Sequence, residues 1–281
     1  MSQSIVVIPC YNEALRLDVV KLRDFAQENP DQQFLLVNDG STDGTREVLD
    51  GLHRNAPDHF LVCHLRANVG KAEAVRQGLL RAFQCGPEYV GYWDADLATP
   101  LAAILTFRSI LDSRPDIDMV FGARVRLLGR SVGRNPLRHY LGRVFATAAS
   151  QTLGFGIYDT QCGAKLFRAS PEIASLFQTP FRTRWIFDVE FLARLSASRR
   201  ARDGPRIDET IYEFPLHEWH DVAGSKVKPF DLVKAFFGLV AIRWSYGGMA
   251  RPKGRPRPAP IPGRPHVVAT PARASISATR D

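Results

Sequence analysis

Two common phosphate-binding signatures are missing from this sequence. The turn after its first β-branched run, Pro9-Cys10-Tyr11-Asn12-Glu13, contains no glycine, so backbone cannot approach a pyrophosphate there as it does in a Gly-x-Gly-x-x-Gly turn. No Gly-x-x-x-x-Gly-Lys-Ser/Thr run occurs either, which disfavours P-loop phosphoryl transfer. Cysteine is scarce: Cys10, Cys63, Cys85 and Cys162 lie far apart with no Cys-x-x-Cys spacing, arguing against a zinc site or a disulfide framework and for a reducing cytosol. The most apolar run, Ala235 to Ile242, is bracketed by Lys234 and Arg243 and falls short of the roughly 20 residues of a spanning helix. Met1-Ser2-Gln3-Ser4 leads straight into Ile5-Val6-Val7-Ile8, so no signal peptide is expected.

Positive charge is also scarce where it first appears plentiful. The 281 residues carry a net charge of +8, but residues 251–281 hold seven Lys/Arg against one acid, leaving 30 basic and 28 acidic residues in 1–250. That last segment also holds seven prolines, a composition expected to be disordered. A single domain over 1–250 with a basic, Pro-rich tail over 251–281 follows. A basic-tailed nucleic-acid-binding module is the non-enzymatic alternative. No aromatic-rich basic stripe marks the body, and the tail's charge is dispersed among prolines, so no nucleic-acid partner is expected.

What is present is an alternation of β-branched runs and helical spacings, the pattern of a parallel sheet covered by helices. Strands are expected at Ile5–Pro9, Gln33–Asp39, Phe60–Leu65, Glu88–Asp94 and Asp118–Gly122. Leu15, Val19, Leu22 and Phe25 keep helical steps, as do Thr42–Arg54, Gly70–Gln84 and Leu101–Ser113. This is a βαβ repeat of Rossmann type. Leu137, Tyr140, Leu141, Val144, Phe145 and Ala148 continue the helical spacing, with Arg138 and Arg143 on or beside the polar flank. A helix near Phe187–Ser198, a strand near Ile207–Phe214 and an amphipathic helix over Asp231–Ser245 complete the expectation.

Chemistry-bearing residues gather at expected strand ends, where open α/β sheets bind ligands. The first strand ends in an aromatic ring and a carboxylate, parts suited to a base and ribose. The second ends in Val37-Asn38-Asp39-Gly40-Ser41-Thr42-Asp43-Gly44; Asp39 is a binding candidate, while Ser41 or Thr42 is expected to cap the next helix. The fourth ends in Trp93-Asp94-Ala95-Asp96. Strand alternation would turn both carboxylates to one side, able to hold a divalent Mg²⁺ or Mn²⁺ that bridges a nucleotide diphosphate. Alone, Asp-x-Asp is weak evidence, and solvated loop carboxylates are its commoner explanation.

Taken in order, Val6-Val7-Ile8-Pro9-Cys10-Tyr11-Asn12-Glu13, Val37-Asn38-Asp39-Gly40-Ser41-Thr42-Asp43-Gly44-Thr45, Asn68-Val69-Gly70-Lys71 and Asp94-Ala95-Asp96 resemble the inverting glycosyltransferases of family 2. Asp159-Thr160-Gln161-Cys162-Gly163-Ala164-Lys165-Leu166-Phe167, Arg184-Trp185-Ile186-Phe187-Asp188-Val189-Glu190, Glu218-Trp219 and Gly224-Ser225-Lys226 look like the dolichyl-phosphate β-glucosyltransferase, or polyprenyl-phosphate glycosyltransferase, branch. The resemblance spans roughly residues 4–245. It implies a GT-A fold, a mixed, mainly parallel sheet flanked by helices. It also implies transfer of a hexose, glucose from UDP-glucose foremost, onto a polyprenyl phosphate. GDP-mannose as donor, or a soluble or polysaccharide alcohol as acceptor, stays open.

By position, the resemblance implies that Pro9, Tyr11, Asn12, Glu13, Val37, Asp39, Lys71 and Ala95 line the donor, with Asp94 and Asp96 handling metal and diphosphate. Arg124, Arg138, Lys165, His220 and Lys226 are implied around the two anionic substrates, where cations must offset phosphate repulsion; for any one of them, a solvated surface charge is the plainer alternative. Asp159 sits where many inverting members carry a general base. A phosphate acceptor, with a second pKa near 6, is already largely dianionic, so the alternative role for Asp159 is to orient Lys165 or the acceptor. Asn38 stands for a frequent Asp, Ala164 for a frequent Phe and Ala98 for a metal-liganding Gln. The branch usually carries an N-terminal membrane anchor that is not expected here. Either a peripheral contact through the last helix and the tail, at the inner, cytoplasmic face of a membrane, is expected instead, or that helix simply covers the sheet.

Overall fold

The computed structural model describes residues 4–125, 131–132, 136–219 and 229–246, with the side chains of 131–132, 136–139, 141 and 229–233 left aside. The expected tail over 251–281 lies outside the described residues. The first half alternates as the sequence predicts: β1 (Ser4–Cys10), α1 (Val19–Glu28), β2 (Gln32–Asn38), α2 (Thr45–Asn55), β3 (Phe60–His64), α3 (Lys71–Gln84), β4 (Tyr89–Trp93), α4 (Ala102–Ser113) and β5 (Met119–Ala123). There follow β6 (Ser131–Val132), α5 (Pro136–Leu153), β7 (Ala164–Arg168), α6 (Pro171–Ser175), α7 (Phe187–Ala201), α8 (Ile207–Thr210), β8 (Ile211–Pro215), β9 (Glu218–Trp219) and α9 (Pro229–Ser245).

The large sheet runs β3-β2-β1-β4-β7-β5-β8, and β6 pairs with β9 in a separate two-stranded ribbon. Pairings from β3 to β4 are parallel, as is β5 with β8, while β7 runs antiparallel to both β4 and β5. Helices cover both faces, so the central strands are buried on both sides. Ile5, Val7, Leu35, Val37, Val90 and Tyr92 pack on the side of α3 and α7. Their alternates Val6, Ile8, Phe34, Leu36, Tyr89 and Trp93 pack on the side of α4. That period of two is the reason the β-branched runs were legible.

Several expectations need correction. Helix α1 begins only at Val19, because Asp18 accepts a hydrogen bond from Lys21 N and caps it there; Leu15 lies before it, fully exposed. The segment expected as a strand from Ile207 opens with the turn α8, in which Thr210 Oγ1 donates to the Ile207 carbonyl, and becomes a strand only at Ile211. Strand β7 was not anticipated, since Lys165 and Arg168 interrupt its apolar pattern. Finally, α9 is not apolar on one face only. Ala235, Leu239 and Ile242 are buried, whereas Phe236, Phe237, Val240 and Trp244 are exposed, so apolar residues stand on its inner and outer sides alike.

Insertion of β7 depends on a glycine. Gly91 of β4 lies opposite Leu166, and a β-carbon there would overlap the Lys165 carbonyl oxygen. Gly91→Ala should therefore cost about 2–3 kcal/mol of stability by overpacking. Gly51 in α2 has nothing within 4 Å of such a carbon, so Gly51→Ala should stabilise by roughly 0.5–1 kcal/mol. Urea unfolding of both variants checks the pair; equal midpoints would contradict the close approach of β7.

Candidate active site

The carboxyl ends of β1 and β2 are stitched together by their loops. Asn12, at φ 53°, donates its backbone N–H to Ser41 Oγ (3.0 Å) and accepts at Oδ1 from Thr42 N (2.9 Å). Glu13 N donates to Thr45 Oγ1 (2.8 Å) and Ala14 N to Asp43 Oδ2 (3.2 Å). Ser41 and Thr42 thus bind the neighbouring loop instead of capping α2, whose first amide, Thr45 N, is taken by Asp43 Oδ1 (3.0 Å). Pro9, Tyr11, Asn12 and Glu13 are brought together half-buried at this edge. Val37 is fully buried, beneath Gly78 of α3, and supports the floor from below.

Asn38 is held on both sides of its amide: Oδ1 accepts from Ser41 N (3.0 Å), and Nδ2 lies 3.1 Å from His64 Nδ1, whose Nε2 lies 2.9 Å from Asp50. An aspartate at 38 would lack the amide donor toward His64. Asp39 is buried and accepts from Val69 N (2.8 Å) and Gly70 N (2.9 Å). Burial raises its pKa, and the two amides oppose that. Its carboxylate therefore fixes the turn that launches Lys71 at the start of α3.

Asp94 and Asp96 lie beyond the end of β4, in a turn where Leu97 has φ 49°, so the turn and not the strand pleat brings them together. Lys71 Nζ sits 2.5 Å from Asp94 Oδ1. Asp96 Oδ1 accepts from Ala98 N (3.1 Å), and burial, then the Asp94 charge, raises its pKa. Desolvation pulls the Lys71 pKa down, but Asp94, Asp188 and Asp96 reverse this, so its net shift is upward and it is charged. Ala95 is buried between the two carboxylates. The Asp94 backbone N donates to the Gly163 carbonyl (2.9 Å), and a β-carbon on Gly163 would fall inside the Asp94 carboxylate.

Lys165 is wholly buried behind this edge. Its Nζ donates to Asp188 Oδ1 (2.7 Å) and to the Cys162 carbonyl (2.5 Å), and lies 5.1 Å from the ring centres of both Tyr92 and Phe121. Tyr92 Oη also donates to Asp188. Lys165 is therefore not oriented by Asp159, contrary to that expectation. Asp159 instead pairs with Arg124 through both oxygens, Nε–Oδ2 2.6 Å and Nη2–Oδ1 2.8 Å, and also accepts from Arg124 N (3.1 Å) and Gln161 N (3.2 Å). Trp219 lies 5.4 Å from the Arg124 guanidinium carbon. Glu213 accepts from Tyr158 N and Asp159 N and holds this loop from β8. Arg138 is on α5 with its side chain outside the described set, and His220 and Lys226 lie outside the described residues altogether.

Among the described residues no group of three or more His, Cys, Asp or Glu could hold a metal. Asp94 and Asp96 nonetheless fit a hard cation that takes two protein oxygens and completes its shell from diphosphate and water. The cradle over Gly163 supports that fit, because it leaves the Asp94 carboxylate room that any side chain would fill. Gly163, Asp188 and Trp219 fall within sequence motifs that assign them no role, and Glu213 falls only within an expected strand; their partners across the fold reveal them. Gly163→Ala should weaken Mn²⁺ binding about tenfold or more, read by electron paramagnetic resonance, with little change in the thermal midpoint. Unchanged affinity would contradict the cradle.

Comparison with known proteins agrees with this geometry. The sequence profile of glycosyl transferase family 2 matches residues 5–174. A dolichyl-phosphate beta-glucosyltransferase of Trichomonas vaginalis is 33% identical over 249 residues, covering 84% of this chain and 69% of that protein. The Homo sapiens dolichyl-phosphate beta-glucosyltransferase is 29% identical over 247 residues, covering 80% and 69%. Among solved structures, Mycobacterium tuberculosis glucosyl-3-phosphoglycerate synthase, in complex with Mn²⁺, UDP-glucose and phosphoglyceric acid, aligns with a TM-score of 0.57 at 16% identity over 89% of this chain and 81% of that one. A Pyrobaculum calidifontis mannosyltransferase with GDP-Man and Mn²⁺ aligns at 0.51 and 18% identity, covering 80% and 58%. The last two carry the fold alone. With a seven-stranded mixed sheet of GT-A kind and its carboxylates at the expected edge, the chain belongs to glycosyl transferase family 2 and is a glycosyltransferase.

Proposed function

We propose that this enzyme transfers glucose from UDP-glucose to dolichyl or another polyprenyl phosphate, with inversion at the anomeric carbon. The observation that carries the acceptor class is the state of Asp159, whose two oxygens are engaged by the Arg124 guanidinium. An alcohol acceptor needs a carboxylate ready to take its proton in the transition state; a phosphate acceptor arrives already ionised. The names of the Trichomonas and human relatives support the same acceptor and sugar.

In this mechanism an acceptor phosphate oxygen attacks the anomeric carbon from the side opposite the departing nucleotide diphosphate. One carbon–oxygen bond forms as the other breaks. The half-buried Tyr11 and Glu13 line the nucleoside, and Asp39 holds the turn that carries Lys71. A divalent Mg²⁺ or Mn²⁺ held by Asp94 and Asp96 would supply Lewis-acid neutralisation of the leaving diphosphate. Arg124, Arg138, His220 and Lys226 are the cations proposed to bring acceptor phosphate and donor diphosphate together, each most effective where water is excluded.

The acceptor's lipid nature is matched by an exposed apolar surface. Phe236, Phe237, Val240 and Trp244 stand out from α9, and Tyr140 and Val144 from α5, the helix packed beside it. Exposed Lys234 and Arg243 flank the α9 stripe, an arrangement suited to the headgroup boundary of an anionic membrane. Among the described residues no helix is long and apolar enough to cross a membrane; the contact we propose is a peripheral one of α9 and α5 at the cytoplasmic face.

Three measurements check the proposal. A donor screen over UDP- and GDP-sugars should give a lipid-linked product from UDP-glucose only with polyprenyl phosphate, and EDTA should stop it; an alcohol-linked product, or full turnover in EDTA, would contradict it. Asp159→Asn should raise the acceptor KM and leave the acid-side limb of the kcat–pH profile in place. A large fall in kcat at unchanged acceptor affinity, with that limb lost, would instead mark Asp159 as a general base. In liposome flotation, wild type should float with anionic vesicles, removal of 251–281 should weaken this in a salt-dependent way, and Phe236→Glu should abolish it while UDP binding persists. Wild type remaining soluble at low salt would overturn the membrane contact.

A further inference from the structure

Lys71 already neutralises one oxygen of the carboxylate proposed to hold a divalent cation. The carboxylate lies flat over Gly163, so backbone closes one of its faces. On its accessible side, the Lys71 ammonium is 2.5 Å from Oδ1. A Mg²⁺-sized cation binds carboxylate oxygen at about 2.0–2.1 Å. Two cations on one oxygen at such distances repel strongly in a partly desolvated cleft. Asp94 cannot move towards Gly163 to serve both, because the backbone there already lies against its carboxylate. Behind it, Asp188 already serves the buried Lys165 at 2.7 Å. Lys71, by contrast, has room to move: its side chain is 45% exposed and sits on the first residue of α3.

We infer that Lys71 is an exchangeable counter-ion of the metal site, holding Asp94 in the absence of a cation and yielding Oδ1 to the cation when it binds. The ammonium that leaves Asp94 remains tethered beside the anionic diphosphate that the cation brings with it. Lys71 thus opposes binding of metal alone and favours binding of metal together with nucleotide diphosphate, which makes the two ligands cooperative. The reason is electrostatic: free cation meets a site already neutralised, whereas a diphosphate gives the displaced charge somewhere to go. This rests on the proposal that Asp94 and Asp96 hold the metal, and it concerns the order and coupling of ligands, which that proposal leaves open.

The test is Mn²⁺ binding followed by electron paramagnetic resonance, with and without UDP, on wild type, Lys71→Met and Lys71→Arg. Lys71→Met keeps the length of the side chain and removes the charge. Without UDP it should bind Mn²⁺ at least about fivefold more tightly than wild type, and the tightening of Mn²⁺ by UDP should shrink. Lys71→Arg should stay close to wild type. Equal or weaker Mn²⁺ binding by Lys71→Met, with UDP coupling intact, would overturn the exchange while leaving the metal site standing. If wild type binds no Mn²⁺ even with UDP, the metal site and the exchange fall together.

Discussion

The site depends on one antiparallel strand wedged into a parallel sheet. Strand β7 pairs with β4 on one side and β5 on the other, and the surroundings of Asp94 and Arg124 are set through it. The residue just before β7, Gly163, gives its carbonyl to Asp94 N and its missing side chain to the Asp94 carboxylate. One step into the strand, Lys165 lies opposite both Tyr92 and Phe121 and is neutralised by Asp188 from the first turn of α7. The loop leading to β7 carries Asp159 onto Arg124 at the end of β5. A buried ion pair of this kind is seldom a net source of stability, yet removing one partner leaves an uncompensated charge. Its contribution here is to fix strand, turn and carboxylate in one register.

Around this wedge the charges alternate. Lys71 meets Asp94, Asp188 meets Lys165, and Arg124 meets Asp159. In such an array each cation is kept in place by a carboxylate, so no charge is left uncompensated. The most buried members, Lys165 and Asp188, are closed to ligands. The more exposed pair, Lys71 and Asp94, is where exchange is physically open. Depth in the sheet thus separates structural charges from those available to chemistry.

Much of the frame was legible in the sequence for simple reasons. Strands β1 to β5 announce themselves because both faces are covered and β-branched residues run nearly unbroken. The candidate edge follows from the rule that such sheets bind at their carboxyl ends, and Tyr11, Glu13, Asp39, Asp94 and Asp96 stand just beyond those strand ends. Less was legible where a residue's role is set across the fold. Lys165 breaks the apolar pattern of β7, so the strand is hidden until its partner on α7 is seen. Gly163 reads as an ordinary turn residue until Asp94 lies on it. Asp159, a base by position, has its oxygens claimed by a guanidinium that no local pattern reveals. Helix α9 looked one-sided because spacing alone cannot tell an apolar face that packs on protein from one that stays outside.

The proposed chemistry is a single in-line displacement, with no carboxylate attacking the sugar. Its most direct test is the anomeric configuration of the first product formed from an α-linked nucleotide sugar, read from the proton coupling of the anomeric signal before any equilibration. The account predicts a β-linked sugar phosphate. An α-linked product would require two displacements or front-side attack, and would contradict it.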